Sequence, residues 1–436
     1  MKGLTFKRGI HPNYRKDATA HLKIELMLPD KELVFPMSQH IGAPCTPIVK
    51  KGDYVYVGDR IGAANGFVSA DIHSSVSGTV KVVEPRMTLR GVKDNCVVIE
   101  NDGLYAVDEN KESIKVEGML TKEQLISCVQ SAGIVGLGGA TFPAHVKLST
   151  PEDKKVEYIL INGAECEPYL TSDHRVMLER GEEVVGGLKI LLQVFKEAQG
   201  IIGIEDNKMD AYEHMCKLVE GTSIKVQLLH TKYPQGSEKH LIYALTSREV
   251  PSGKLPIEVG CIVHNIDSVG AIYRAVKRGE PVLSRIVTVS GKGVKKPCNL
   301  EVKTGTSFRQ VLEYAGIDWE QTIKIIAGGP MMGTAISNVD VPVVKGTSAI
   351  LCFTEEEAGL TTPSNCIRCG KCVDVCPMGL VPSALQKSAM NGHYDEFLKQ
   401  NGMDCIECGC CAFTCPAKRE IVQTIRTAKA AIRSKK

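Results

Sequence analysis

Two cysteine runs near the C-terminus limit what this chain can fold into more than any other feature. They are Cys366-x2-Cys369-x2-Cys372-x3-Cys376-Pro377 and Cys405-x2-Cys408-x2-Cys411-x3-Cys415-Pro416. Each carries the C-x2-C-x2-C-x3-C-P spacing that ligates [4Fe-4S] clusters. Three closely spaced thiolates wrap one face of a cube, and the x3-Cys-Pro step leads the chain away from it. Zinc sites use two C-x2-C pairs and have no use for a third and fourth cysteine at this spacing. Disulfides need an oxidising compartment, for which nothing in the sequence argues. A chain built around two such clusters handles electrons one at a time.

In two-cluster ferredoxins the fourth cysteine of each run serves the other cluster. That rule gives one cluster Cys366, Cys369, Cys372 and Cys415, and the other Cys405, Cys408, Cys411 and Cys376. Cys410, between two ligands, reads as a packed thiol. Between the runs, residues 383–390 and 393–399 have helical periodicity broken at Asn391-Gly392, and no strand pattern occurs. An all-helical two-cluster module is therefore expected over 353–420.

With 436 residues, 43% of them hydrophobic, there is room for about three domains. The net charge of +3 gives no case for nucleic acid. No apolar run approaches the ~18 residues of a membrane span. The opening Met1-Lys-Gly-Leu-Thr-Phe-Lys-Arg lacks the apolar core of a signal peptide. Seventeen cysteines fit a reducing compartment. The expectation is a chain exposed to the cytosol, without a transmembrane segment of its own, that can still sit on a membrane.

The remaining pattern is multidomain, α/β and α+β. Residues 1–112 contain Val/Ile-rich runs, 49–62 and 72–83, punctuated by Gly-Asp and Ser-Gly. They resemble the biotinyl/lipoyl-type barrel-sandwich hybrid, which carries its cofactor on a lysine between two such segments. The intervening 63–71 has no lysine, so this module reads as scaffold or interface. Over 113–282, helices alternate with strands (helix 121–130, strand 156–161, helix 181–196, strand 200–204, helix 210–219), which argues an α/β domain. Residues 283–352, with strands 285–290 and 322–326, helix 307–314 and the turn Ala327-Gly-Gly-Pro-Met-Met-Gly333, resemble a β-grasp domain of the soluble-ligand-binding type. There, a spacer and a ligand site both stay open. The tail from Lys418 holds seven Lys or Arg and one Glu. It reads as a helix with a solvated basic face, or one that docks on anionic lipid or an acidic partner.

The second informative segment is Gly133-Ile-Val-Gly-Leu-Gly-Gly-Ala-Thr-Phe-Pro-Ala-His-Val-Lys147. It fails as a Rossmann fingerprint, because Thr141 stands where the third glycine belongs and a helix precedes it instead of a strand. Clustered glycines still let a phosphate or ring approach the main chain. The segment looks like the G-R-G-G-A-G-F-P loop of the NADH-oxidising flavoprotein subunit of respiratory complex I. In the same order follow Asn162-Gly-Ala-Glu-Cys-Glu-Pro168, similar to its N-A-D-E-x-E-P motif, Tyr233-Pro-Gln-Gly-Ser-Glu238, similar to its G-E-E motif, and Val263-His-Asn-Ile-Asp-Ser268, similar to its N-N-V-E-T segment. More broadly, residues 1–420 resemble the C-subunit family of Rnf electron-transport complexes, from Arg8-Gly-Ile-His-Pro12 with Lys16 and Thr19 through to the paired cysteine runs.

The resemblance implies FMN, with NAD(H) as substrate. Gly136, Gly138, Gly139 and Lys147 would hold the FMN phosphate and ring edge. Asn162, Glu165, Asn265 and Ser268 would position the flavin. Glu167 and Glu238 would border the nicotinamide or its ribose, with Phe142 as a stacking face. It further implies a peripheral subunit on the cytoplasmic face of the cell membrane. Its partners would be integral membrane subunits and other iron–sulfur and flavin subunits, in a complex coupling ferredoxin and NAD to Na⁺ or H⁺ movement. The chain departs from the complex I pattern at Leu137, Ala164 and Ser237. Two alternatives are a soluble flavin/iron–sulfur reductase of the cobalamin-reductase type and a cluster-only relay with a vestigial flavin site.

Overall fold

The computed structural model describes residues 3–109, 120–359 and 361–434. The expected boundary between residues 112 and 113, and the last two lysines, lie outside the described residues. The α/β domain is built on four parallel strands in the order Lys225–Leu229, Gln199–Glu205, Tyr158–Gly163, Cys261–Asn265. Its central strands are apolar on both faces, with Ile159, Leu160, Ile161, Ile202 and Ile204 all buried, as parallel strands covered on both sides must be. The helices fall close to their expected spans. Lys122–Ser131 begins at a capping box in which the Thr121 side chain accepts from the Gln124 amide and the Gln124 side chain takes the Thr121 amide.

The barrel-sandwich module has two small antiparallel sheets around Leu33, Phe35, Ile61, Ile72 and Val97. The β-grasp domain is a six-stranded mixed sheet with helix Phe308–Tyr314 packed on it, started by Ser307, whose hydroxyl accepts from the Gln310 amide. One of its edge strands, Ile24–Met27, is supplied by the N-terminal segment and lies parallel to Cys298–Lys303. The first residues therefore lie outside the barrel. Leu4 bridges to Leu229, Ile10 to Tyr233, and the Gly9 amide donates to Val375 O at 3.1 Å. This segment laces the α/β domain, the β-grasp sheet and the cysteine module together. A second tie is Lys345, fully buried, whose ammonium donates to Asp71 O and Gly133 O. It joins three modules at one point.

The cysteine module contains only helices among its described residues: Lys371–Asp374, Pro382–Met390, Tyr394–Lys399, the single turn Gly402–Asp404, Cys410–Phe413 and Ile421–Arg433. The two runs fold alike. Arg368 and Glu407, each two residues past the first cysteine, are left-handed (φ 56° and 57°), and so are Gly370 and Gly409 (φ 78° and 83°) at the start of each short helix. The basic C-terminal helix leaves Arg426 and Arg433 exposed while its apolar face packs inward. Ile421, Val422, Ile425, Ala428 and Ile432 pack against Leu385 and Phe397 of the same core. Lys429 donates to Cys405 O at 2.6 Å and pairs with Glu407, which Arg426 also contacts. Helical spacing of the apolar residues seals a core too small to close without them.

Candidate functional site

Ligands of open parallel sheets bind beyond the carboxyl ends of the strands, and that is where the motif residues gather. Asn162 and Asn265 are register partners at the ends of two adjacent strands. Asn162 donates to Gly236 O (2.8 Å) and accepts from the Ala164 amide (3.2 Å). Asn265 caps helix Ile266–Arg278, its Oδ1 accepting from the Asp267 amide (2.9 Å) while its Nδ2 donates to Asp173 (2.6 Å). Both amides are thus oriented by at least two bonds.

The glycine loop folds back on itself, the Gly136 amide donating to Phe142 O and the Thr141 amide to Gly136 O. Gly138 lies on Asn265, since a Cβ there would come within 3.1 Å of Nδ2. Gly138, Gly139 and Ala140 are exposed, and a Cβ on Gly139 would meet no atom within 4 Å. The loop therefore offers bare main chain with open space beside it, a cradle that suits a phosphate or flat ring. Ser268 braces it from behind, accepting from the Leu137 amide (2.8 Å) and donating to Val135 O (3.1 Å). Arg285, ion-paired with Asp267, donates to Leu137 O.

Two of the three departures are explained by burial. Leu137 points into the core, and Ala164 is fully buried with its carbonyl taken by Lys208 (2.7 Å). Ser237 instead lies within 3.1 Å of the His240 ring. Lys147 and Glu238 come together as a half-exposed ion pair (2.7 Å), with Lys147 also donating to Val263 O. Glu165, in a left-handed conformation, accepts from the Asp173 amide and Ser172 hydroxyl, while its other oxygen lies 3.8 Å from Lys16 without a hydrogen bond.

Glu167 stands apart from the others. Its carboxylate accepts the Met331 and Met332 amides (3.0 and 2.9 Å) of the β-grasp turn, and a Cβ on Gly329 would strike it. It clamps two domains together. Burial pushes Glu167 up to about 7, against the pull of those amides, Lys16 and the Tyr233 hydroxyl. The folded chain keeps this proton where an unfolded glutamate has lost it. Its contribution to stability is complete below the ordinary value of 4.5 and lost as pH rises through 7. In Glu167→Gln, urea midpoints should decline less between pH 5 and pH 7 than in the parent; an unchanged slope would mean Glu167 does not titrate there.

Three residues matter more here than the sequence suggested. Lys16, buried, donates to Glu165 O, Glu167 O and Leu170 O and so ties the end of the 162–168 loop to the residues after it. Asp173, behind Asn265, has its carboxyl raised by burial and by the nearby Glu165 and Asp267. Arg285 holds the glycine loop. Lys16 stood in the N-terminal motif, whereas nothing distinguished Asp173 or Arg285 from ordinary surface charges.

In the helical module, Cys376, Cys405, Cys408 and Cys411 line one cavity together with Met378, Leu380, Leu385 and Ile425. Three belong to the second run and one to the first. An apolar cavity ringed by these four thiols, with Cys410 also in its wall, suits a [4Fe-4S] cluster. Cys366 and Cys369 are exposed, and Cys372 and Cys415 partly buried. None of the seventeen cysteines is joined in a disulfide. Among the described residues no three His, Cys, Asp or Glu side chains converge as for a single ion. The cavity abuts the α/β domain: the Tyr233 hydroxyl donates to Cys408 O (2.7 Å), and Ile10, Cys166 and Tyr233 pack with Cys408 and Cys410. Cys410 is fully buried in that contact.

Four family models match in the expected order: the RnfC barrel sandwich hybrid domain over 4–104, the Nuo51 FMN-binding domain over 129–274, the SLBB domain over 286–335 and the 4Fe-4S dicluster domain over 365–419. Among curated proteins, the chain is 49% identical to the C subunit of the Na(+)-translocating ferredoxin:NAD(+) oxidoreductase complex of Acetobacterium woodii, covering 99% of this chain and 98% of that one. It is 46% identical to the C subunit of the proton-translocating ferredoxin:NAD(+) oxidoreductase complex of Clostridium ljungdahlii, covering 99% and 94%. It is 40% identical to the C subunit of the ion-translocating oxidoreductase complex of Rhodobacter capsulatus, covering 99% and 84%. These matches, which run through the N-terminal module, support the Rnf reading and not the cobalamin-reductase alternative.

Proposed function

As this chain belongs to the C-subunit family of ion-translocating ferredoxin:NAD⁺ oxidoreductase complexes, we propose that it is the part of such a complex that reacts with NAD(H). It is an oxidoreductase subunit with FMN and two [4Fe-4S] clusters, working among other subunits. No described helix is long and apolar enough to cross a membrane, and we assign it a peripheral seat on the cytoplasmic face. FMN supplies the change from hydride pairs to the single electrons that iron–sulfur clusters carry.

The chain's own residues bind and orient. The exposed Gly138–Ala140 edge, with Gly136 shaping the turn, receives the flavin phosphate or ring edge. Lys147 brings positive charge to it once its pairing with Glu238 is shared. Asn162 and Asn265 hold the flavin's polar edge, each locked in orientation by its other bonds. Ser268 and Glu165 act one layer behind, fixing the glycine loop and the 162–168 loop. Glu238 and Phe142 border the nicotinamide. Glu167 is a positioning residue, fastening this loop to the β-grasp turn. The cavity of Cys376, Cys405, Cys408 and Cys411 lies against Tyr233, so a cluster held there would adjoin the α/β domain.

The observation that carries this reading is the pairing of Asn162 and Asn265 in register, with Gly138 resting on one of them. The test is anaerobic purification, iron and flavin analysis, then addition of NADH. About eight irons with FMN, bleached by NADH, is the expected result. In Glu238→Gln the bleaching rate should fall about tenfold or more while FMN stays bound. Iron without flavin, and no response to NADH, would sink the reading.

A further inference from the structure

In biotinyl- and lipoyl-type domains the loop corresponding to 63–71 presents a modified lysine. Here it presents Phe67, and the structure folds it onto the glycine loop. His145, buried just past that loop, donates from Nε2 to Phe67 O at 2.9 Å, and the two rings meet edge to face at 5.9 Å. Beside it the Ile41 amide donates to Thr141 O at 3.2 Å. Phe67 nevertheless remains 61% exposed and Ile41 51%.

Their exposure is not that of a loose loop. The Ala64 amide is held by Asp71 (2.7 Å), the Asn65 amide by Ser69 (3.0 Å), and Ser69 in turn donates to Ala43 O (2.9 Å). A Cβ on Gly42 would collide with Val68 O. The fold thus fixes a bare aromatic ring and an aliphatic side chain at the rim of the glycine loop, where ordering them on binding costs little further entropy.

We propose that Phe67, flanked by Ile41, forms the outer wall of the NAD(H) site and stacks on the adenine ring. The inference rests on the reading of the glycine loop as the flavin and NAD(H) site. In that reading the nicotinamide lies inward, by Glu238 and Phe142, and the adenine half extends toward the rim. Exposed Gly138, Gly139 and Ala140 carry no side chain able to cover a flat base, and Phe67 supplies that face from a different domain. The barrel-sandwich module is then part of the nucleotide site.

The test titrates full-length, iron- and flavin-loaded protein with ADP-ribose and with nicotinamide mononucleotide by calorimetry. Phe67→Ala should weaken ADP-ribose about tenfold, within the range for loss of one base-stacking ring. It should leave nicotinamide mononucleotide, flavin content and iron content unchanged. Phe67→Trp should restore ADP-ribose binding. Unchanged ADP-ribose affinity in Phe67→Ala would overturn the proposal, as would equal weakening of both halves. A parent protein that binds neither half, and whose flavin NADH does not bleach, would instead bring down the underlying reading and this inference with it.

Discussion

Replacing Cys376 and Cys408 together by serine should leave a protein with about four irons, half the complement of two cubic clusters. The two residues come from different runs, thirty-two positions apart, yet line one cavity with Cys405 and Cys411. If they serve one cluster, losing both is hardly worse than losing either, and the Cys366, Cys369, Cys372 and Cys415 cluster survives. If each run bound its own cluster, the double variant would lose both. Iron analysis and the electron paramagnetic resonance signal of the reduced protein separate these outcomes. Pairing Cys372 with Cys376, both of the first run, gives the converse: under the crossed arrangement that variant damages both clusters, whereas if each run bound its own cluster it would spare the second. Because the cavity of Cys408 packs on Tyr233, the Cys376 and Cys408 double variant should also interrupt reduction of the remaining cluster by NADH, although dithionite still reduces it.

The second large effect is expected at Lys16. Its ammonium is fully buried, and burial brings it down to about 8. Lys16→Met would strip the donor from three backbone carbonyls, Glu165 O, Glu167 O and Leu170 O, and remove the cation nearest the Glu165 carboxylate. Methionine fills a similar volume, so lost packing is a minor part. Breaking a buried charged arrangement by deleting one partner costs about 3–5 kcal/mol. That is a large fraction of the roughly 5–15 kcal/mol that holds a domain folded. Chemical denaturation should show this loss, and the variant should release flavin, because this one side chain gathers three carbonyls of the 165–170 stretch. A variant with parental stability and full flavin would show that the loop holds its shape unaided.

The two clusters, the helical character of their module and the order of the domains were legible from the sequence because each is encoded over short distances. Thiolates spaced for one face of a cube are consecutive in the chain, and amphipathic helices repeat within a turn. The flavin-binding domain was legible through its ordered motifs, and the structure shows that the departing residues Leu137 and Ala164 are both buried in the core. Other features left no local trace. The basic C-terminal stretch has an apolar stripe, but only the folded module shows the core it covers. Glu167 lies in a flavin-type motif, yet its direction is set by a turn 164 residues away. Lys16 and Lys345 are single lysines whose partners lie 149 and more residues distant, and Phe67 is one aromatic residue in a loop. The sequence by itself determined the chemistry this protein carries, because ligand spacing and motif order are properties of neighbouring residues. The tertiary structure alone decided how the domains are fastened together and which side chains surround the glycine loop, because contacts between distant segments have no period to read.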